Sequence, residues 1–383
     1  MIRFSSLKGI ISLSYGEIIG LGFSSIFWLW LAREISPEDY GEIHFFIGIV
    51  SMVGYIVTLG TTETITVFTA KKIPLQSTLF FISLITGGIG CIVLSIIFNR
   101  IDISILLFGY IINFLVIGEL LGSQKFNTYS KFILLQKVLT LTLGISFYLI
   151  FKEEGIIFAI AITYLPLLSR VYQIFKREKI DFALLKQKFE FVITNYSMKV
   201  TGGISGHIDA IIIAPILGMA IFGNYSLSLV IINMMMMAPN FIFKYLLPKE
   251  STGEKNTGFK KWSVILTSLI AISAIFVLPQ IIPIVFPKFI EVLNIIQIMS
   301  ISIIPRSIAG IYEAKFLGME KSRYVLSGYL IHLVIMVVGM LGLGLLFGIV
   351  GMAIAYLLSN IAKTGYFVCQ DLQIKNTEKS GKN

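Results

Sequence analysis

Charge is what this chain has least of. Asp, Glu, Lys and Arg supply 14% of its 383 residues, hydrophobic residues supply 56%, and the mean hydropathy is +0.87. Soluble domains carry about 25% charged residues, so most of this chain cannot face water. Cysteine is nearly missing: Cys91 lies in an apolar run and Cys369 towards the far end, and two cannot make a disulfide framework or, alone, a metal site. Two of the three histidines, His207 and His332, have no second ligand at helical spacing and read as polar packing residues. Catalytic signatures are absent as well, with no HExxH, GxSxG or paired-cysteine motif. The stretch GEKNTGFK, 253–260, has Phe259 where a phosphate loop needs lysine, and no strand precedes it. No enzyme, no ATP site and no cofactor is therefore expected. The longest polar connections, about 176–191 and 247–261, have room for a surface helix and a loop but not for a catalytic domain.

What is present is a succession of apolar runs long enough to cross a bilayer. The expected fold is all-α, a polytopic membrane protein of about twelve transmembrane helices. They fall at 9–31, 43–66, 75–98, 103–122, 132–151 and 155–175 in the first half, and at 192–217, 222–246, 262–285, 289–312, 325–347 and 349–367 in the second. This gives an N-lobe over 1–175, a linker over 176–191, a C-lobe over 192–370 and a tail over 371–383. The first run is too long and too Trp-rich for a cleaved signal, so it is expected to remain as a span. With the N-terminus inside, the outer connections hold only Arg33, Arg100, Lys152 and Lys288 of 31 basic residues. The inner ones hold most of the rest, including Lys71, Lys72, Lys125, Lys131, Lys176, Arg177, Lys249, Lys255, Lys260, Lys261, Lys315, Lys321 and Arg323. Both termini are thus expected in the cytoplasm, with the chain in the cell (plasma) membrane. The net charge of +10 is spread over many short loops, which suits contact with anionic membrane lipids and not with nucleic acid.

The halves repeat. At an offset of 182 residues the stretch Ser36 to Gly41 lies over Gly218 to Gly223; at 196, Gly122, Phe151, Gly155 and Ala159 lie over Gly318, Phe347, Gly351 and Ala355. The step between the offsets falls at the longer inner loop of the second half. Six helices is an even number, so the repeats are parallel, and repeats of this kind put a substrate site between them near mid-membrane.

Charge inside an apolar helix marks a candidate site. In the seventh helix Asn195, Lys199, Gly202, Gly206 and Asp209 follow steps of three and four and share one stripe. Lys199 is expected near the cytoplasmic mouth, either meeting an anionic substrate or reaching lipid headgroups. Asp209 lies about 15 Å deeper, at about 1.5 Å per residue, either binding Na⁺ or H⁺ or bonding a neighbouring helix. Gly202, Gly203 and Gly206 read as close helix packing. The second helix carries His44, Gly48, Ser51, Tyr55, Thr58 and Thr62 on one line, which lines a cavity or packs through hydrogen bonds. Glu17 in the first helix is a second ion-coupling candidate. Lys137, Arg170, Lys244, Arg306 and Lys363 sit where long side chains reach inner headgroups; among them Arg306 follows Pro305, whose missing N–H breaks the helix where a guanidinium can meet an anion.

Several stretches together resemble a known family. They are Leu31-Ala-Arg-Glu-Ile-Ser-Pro-Glu-Asp-Tyr-Gly-Glu42, Thr58-Leu-Gly60, Asp209-Ala-Ile-Ile-Ile-Ala-Pro-Ile-Leu-Gly218, Phe222-Gly-Asn-Tyr-Ser226 and Gly348-Ile-Val-Gly-Met-Ala-Ile-Ala355. In this order they are similar to the polysaccharide-biosynthesis branch of the multidrug/oligosaccharidyl-lipid/polysaccharide (MOP) exporters, the Wzx-like oligosaccharide and O-antigen flippases, with the MATE-like two-lobe fold. The resemblance implies alternating access around a central cavity and a prenyl-diphosphate-linked oligosaccharide flipped to the outer leaflet. It also implies a family aspartate at Asp209, while Glu17 and His44 occupy helices where relatives often place basic residues. Lys199, Arg306, His44, Ser51 and Tyr55 are the substrate-cavity candidates, Asp209 and Glu17 the candidates for H⁺ or Na⁺ coupling. The expected partners are the lipid-linked oligosaccharide, membrane lipids and polysaccharide-assembly proteins. An organic-cation efflux carrier of the same fold is the main alternative, and a membrane-embedded glycosyl- or acyltransferase a lesser one.

Overall fold

The computed structural model describes residues 4–237, 239–240, 257–319 and 321–380, and among them every regular element is helical. The chain runs through α1 (Phe4–Glu34), α2 (Pro37–Val57), α3 (Thr62–Ala70), α4 (Gln76–Phe98), α5 (Ile101–Gly122), α6 (Phe126–Phe151), α7 (Gly155–Ile162), α8 (Leu168–Arg177) and α9 (Phe182–Gln187). It continues through α10 (Phe189–Leu217), α11 (Met219–Met235), α12 (Thr257–Val285), α13 (Val292–Ile301), α14 (Ile303–Gly318) and α15 (Ser322–Ser380). Among the described residues eight helices or joined helices are long and apolar enough to cross a membrane, and two of them, Phe126–Arg177 and Ser322–Asn376, at 52 and 55 residues, are long enough to cross twice. With α1 and the shorter apolar α11 this makes an all-α polytopic membrane protein of about twelve spans.

Three expected helices are broken, each for a local reason. The second does not run unbroken over 43–66. It starts earlier, at Pro37, because Ser36 Oγ accepts the Asp39 N–H at 3.1 Å and proline fits a first helical turn. It stops at Val57: Gly60 N–H turns to Ser83 Oγ at 3.0 Å, and Thr61 caps α3 by accepting from Thr64 N–H at 3.2 Å. The sixth is split by the 3₁₀ turn Leu165–Leu167 around Pro166. The tenth is split at Ser302, one turn before Pro305, so the break foreseen at that proline is real and lies just ahead of it. The surface helix expected in the linker is α9, capped by Asp181, whose Oδ1 accepts from Leu184 N–H at 2.9 Å. The end of the eighth predicted helix, Lys244, Lys249, Lys255 and most of the loop that follows lie outside the described residues.

The repeat is written in the backbone. Lys152 has φ 56 and ψ −147, and Gly348, at an offset of 196, has φ 58 and ψ −137. Three residues on, Gly155 packs on the backbone oxygen of Phe147 and Gly351 on that of Leu343, again matched positions. The ends of α5 and α14 close alike: Ser123 N–H bonds Glu119 O at 2.8 Å and Lys125 N–H bonds Leu120 O at 2.9 Å, while Met319 bonds Lys315 O at 3.0 Å and Lys321 bonds Phe316 O at 2.8 Å. Like sequence positions thus adopt like turns, which chance alignment of glycines does not produce.

By contacts the chain forms two compact units, one of the residues up to Trp28 with Phe45–His207, the other of Leu29–His44 with Ile208 onward. All three boundaries run through helices, so α1, α2 and α10 each contribute to both units. Within the second unit the starts of α2 and α11 meet reciprocally. A Cβ on Gly41 would strike the Met219 carbonyl oxygen, and one on Gly223 would strike that of Pro37. Residue i touches the equivalent of j and j touches the equivalent of i, the signature of a local two-fold relation.

Candidate functional site

The second unit contains a cavity of about 320 Å³ whose wall includes Arg306, Ser307, Glu313, Tyr329, Asn360 and Lys363. The volume is within the range of small-ligand sites. Arg306, in the first turn of α14, points its guanidinium at neutral acceptors: Tyr356 Oη at 2.7 Å, and Asn233 Oδ1 at 3.4 Å from both terminal nitrogens. Among the described residues no carboxylate lies within ion-pair distance of it. Its charge is oriented but not neutralised. Lys363, one turn beyond Ser359 on α15, lies 4.2 Å from the Tyr329 ring centroid and 3.5 Å from Glu313 Oε2. Tyr329 donates its hydroxyl to the other Glu313 oxygen at 2.6 Å. Two cations and one carboxylate therefore share the wall, and their sum is positive.

Asp209 is buried in the same unit, 5% exposed, with Oδ1 accepting from Ala210 N–H at 2.9 Å. The phenols of Tyr225 and Tyr356 lie within electrostatic range of both Asp209 and Arg306. The Tyr225 hydroxyl and the Asn224 side-chain oxygen, both buried, have no hydrogen-bond partner among the described residues. His44 also belongs to this unit, its ring 4.5 Å from that of Tyr40.

The remaining predicted residues belong to the first unit. Lys199 is ion-paired with Glu63 of α3 at 2.8 Å and lies 5.7 Å from the Tyr55 ring centroid. Tyr55 stacks on Phe114 at 5.0 Å and packs against Gly203. Of the three glycines expected to pack closely, only Gly203 does; nothing lies within 4 Å of a Cβ built on Gly202 or Gly206. The polar stripe is there, but its glycines face open space. Ser51 is buried and donates to Ile47 O at 2.7 Å within α2, and Thr58, just past its end, is buried and donates back to Gly54 O at 2.6 Å. Glu17 accepts the Tyr129 hydroxyl at 2.7 Å.

Two cations expected to reach headgroups do otherwise. Arg170 grips both oxygens of Glu119 at 2.7 and 2.9 Å, and Lys363 is held in the cavity wall. Glu119, 2% exposed, also pairs with Lys125 at 3.3 Å. Its positional equivalent in the second half is Lys315, which bonds the buried Asp371, itself paired with Lys375 at 2.7 Å. The first half thus bolts α5 to α8 and the second α14 to α15, each with a buried carboxylate between two cations, the carboxylate coming from α5 in one and from α15 in the other. The sequence alone missed Glu313, Tyr329, Tyr356 and Asn233. Their partners lie 16 to 73 residues away on other helices, beyond any helical spacing. The one available signal was an isolated Glu and Lys in otherwise apolar segments. No group of three or more His, Cys, Asp or Glu able to hold a metal occurs among the described residues.

No family model matches the chain, and no curated protein sequence does. Solved structures are similar to it in fold. The lipid II flippase MurJ, in an inward closed conformation, matches with a TM-score of 0.75 at 13% identity, over 92% of this chain and 86% of that one. The MATE multidrug transporter DinF-BH matches with a TM-score of 0.71 at 14% identity, over 96% and 95%. An inward-facing multidrug resistance MATE family transporter of the MOP superfamily matches with a TM-score of 0.70 at 14% identity, over 97% and 99%. The chain therefore shares the fold of these solved transporters. Identities this low speak for the fold, and function has to be argued from the site.

Proposed function

We propose that the protein is a flippase that moves a lipid-linked oligosaccharide, carried on a prenyl diphosphate, from the cytoplasmic to the outer leaflet of the cell membrane for surface polysaccharide synthesis. The observation that carries this reading is Arg306. A charge at membrane depth costs about 2.5–3.5 kcal/mol or more, and this one lines a cavity with no carboxylate within ion-pair distance of it among the described residues. A diphosphate is the kind of group that repays that cost, since Arg forks onto phosphate oxygens in charge-assisted hydrogen bonds. The flippase among the fold neighbours, MurJ, supports a lipid-linked cargo, and the basic inner loops support cytoplasmic termini. Asp209 and Glu17 are the residues at which H⁺ or Na⁺ would couple transport. Membrane lipids surround the chain, and polysaccharide-assembly proteins take the cargo onward.

One observation favours a second reading, ion-coupled efflux of organic cations. Asp209 is a buried carboxylate with Tyr225 and Tyr356 nearby, and carboxylates among aromatic rings suit a cation. Proteoliposomes separate the two. The flippase reading predicts translocation of a prenyl-diphosphate oligosaccharide that excess organic cation does not inhibit. Cation accumulation with no effect on the lipid-linked substrate would establish efflux. In cells, loss of the protein should leave the lipid-linked precursor on the cytoplasmic leaflet; a failure of the precursor to form would point to a membrane-embedded transferase.

A further inference from the structure

We propose that Glu313 is a built-in counter-anion of the second-unit cavity, which holds Lys363 between transport events and is displaced from it by the phosphate groups of the ligand. The proposal rests on the reading of this cavity as an anion site and adds what sets its affinity and release.

The geometry separates two kinds of cation. Arg306 is fixed by Tyr356 and Asn233, neither of them a carboxylate. Lys363 faces a carboxylate, but at 3.5 Å, longer than the 2.7–2.9 Å of a strong charge-assisted bond. Glu313 is anchored elsewhere, by the 2.6 Å bond from Tyr329 on α15. A carboxylate held by a third group and only loosely paired with its lysine is arranged to let the lysine go. Both side chains are largely buried, at 16% and 14% exposed, so an unpaired Lys363 would be costly while the cavity is empty. Glu313 removes that cost. When a phosphate group enters beside Arg306, the flexible lysine stem can swing its ammonium to a second phosphate oxygen, a movement the planar Arg fork makes less easily. Re-pairing of Lys363 with Glu313 then favours release of the anion, which a carrier needs as much as binding. The matched positions of the first half, Ile117 and Leu167, carry no charge, so the device exists in one half only.

The test uses the full chain in lipid nanodiscs, with inorganic diphosphate and a polyprenyl diphosphate as separate probes, and compares wild type with Glu313→Gln, Glu313→Asp, Glu313→Gln/Lys363→Gln and Arg306→Gln. Glu313→Gln keeps an acceptor for Tyr329 and removes the competitor, so it should tighten diphosphate binding about tenfold, the equivalent of about 1.4 kcal/mol. Glu313→Asp, which retains the charge but sets it back by one methylene, should tighten it less. With Lys363→Gln added, the gain should vanish. Transport by Glu313→Gln should slow while binding tightens, because release becomes limiting. Tightening for both probes places the recognition in the diphosphate; tightening for the polyprenyl diphosphate alone places it in the phosphates together with the lipid. Unchanged or weaker binding by both Glu313 variants, with Arg306→Gln still weakening it, would overturn the counter-anion role alone. Equal binding by wild type and Arg306→Gln would overturn it together with the anion-site reading.

Discussion

The two halves of the sequence use one backbone for different chemistry. Ser51, Tyr110 and Tyr164 form a neutral hydroxyl network in the first half, with the two tyrosine rings edge to face at 5.5 Å. Their matched positions in the second are Asn233, Arg306 and Asn360, and there Arg306 bonds Asn233 on one side and Tyr356 on the other. Glu313 and Lys363 stand opposite Ile117 and Leu167, and Glu17 stands opposite Lys199. What is common to both halves is structural: the turns after Phe151 and Phe347, the helix ends at Gly122 and Gly318, and a buried ionic bolt. What differs is charge facing a cavity. A duplicated scaffold thus leaves one copy free to keep an apolar, hydroxyl-lined interior while the other carries the cations of the proposed anion site.

The bolts should give the largest effects on stability, and equal ones. Glu119→Gln and Asp371→Asn each leave a partly buried cation, Arg170 or Lys315, without its counter-charge, so each should cost up to about 3–5 kcal/mol, read as a comparable fall in thermal midpoint in detergent. Lys125→Gln and Lys375→Gln, whose side chains are 37% and 55% exposed, should cost under about 1 kcal/mol. A bolt that matters in one half only would show that the resemblance between them is positional and not functional.

Smaller and again paired effects are expected at Gly41 and Gly223. An alanine at either would push a methyl into a backbone carbonyl that has no side-chain freedom to yield, and overpacking of this kind costs about 1–3 kcal/mol. Similar losses of folded yield for Gly41→Ala and Gly223→Ala would support the reciprocal contact; a tolerated alanine at one would refute it. Effects at the next matched pair are opposite in sign. Lys152→Gly relieves a non-glycine residue at φ 56 and should raise the thermal midpoint, whereas Gly348→Lys imposes the same strain and should lower it. Each change is worth about 1 kcal/mol or slightly more. A midpoint that falls for Lys152→Gly would mean that the cation–π contact of Lys152 with Tyr148, at 5.6 Å, outweighs the strain.

Much of this was legible in the sequence, and unevenly so. Spans are apolar runs, and length alone places them. The repeat was readable because Gly155 and Gly351 mark turns that permit little else. The start of α2 carried its own signal, Ser36 before Pro37, which hydropathy overlooks because the first turn holds Glu38 and Asp39. Its early end was hidden, since Thr58 to Thr61 hold neither charge nor proline to end a helix and are turned aside by Ser83, 23 residues away from Gly60. The site shows the same limit. Arg306 stood out through its proline, and the Lys199 to Asp209 stripe through its spacing. Spacing gives the face of one helix but not what stands opposite it. Glu63 beside Lys199 and Glu313 beside Lys363 come from other helices, and no periodicity within a single helix could name them.

The most direct test sets the two halves against each other at one matched position. Flipping of a prenyl-diphosphate oligosaccharide is measured in proteoliposomes with Arg306→Gln and with Tyr110→Phe, both confirmed to insert and fold as wild type does. Loss of a charged hydrogen-bonding group is worth about 1.5–3 kcal/mol, so Arg306→Gln should slow flipping by about 10- to 100-fold, while Tyr110→Phe should leave it within about twofold. Wild-type flipping by Arg306→Gln, or a larger loss in Tyr110→Phe, would contradict the assignment of the anion site to the second half.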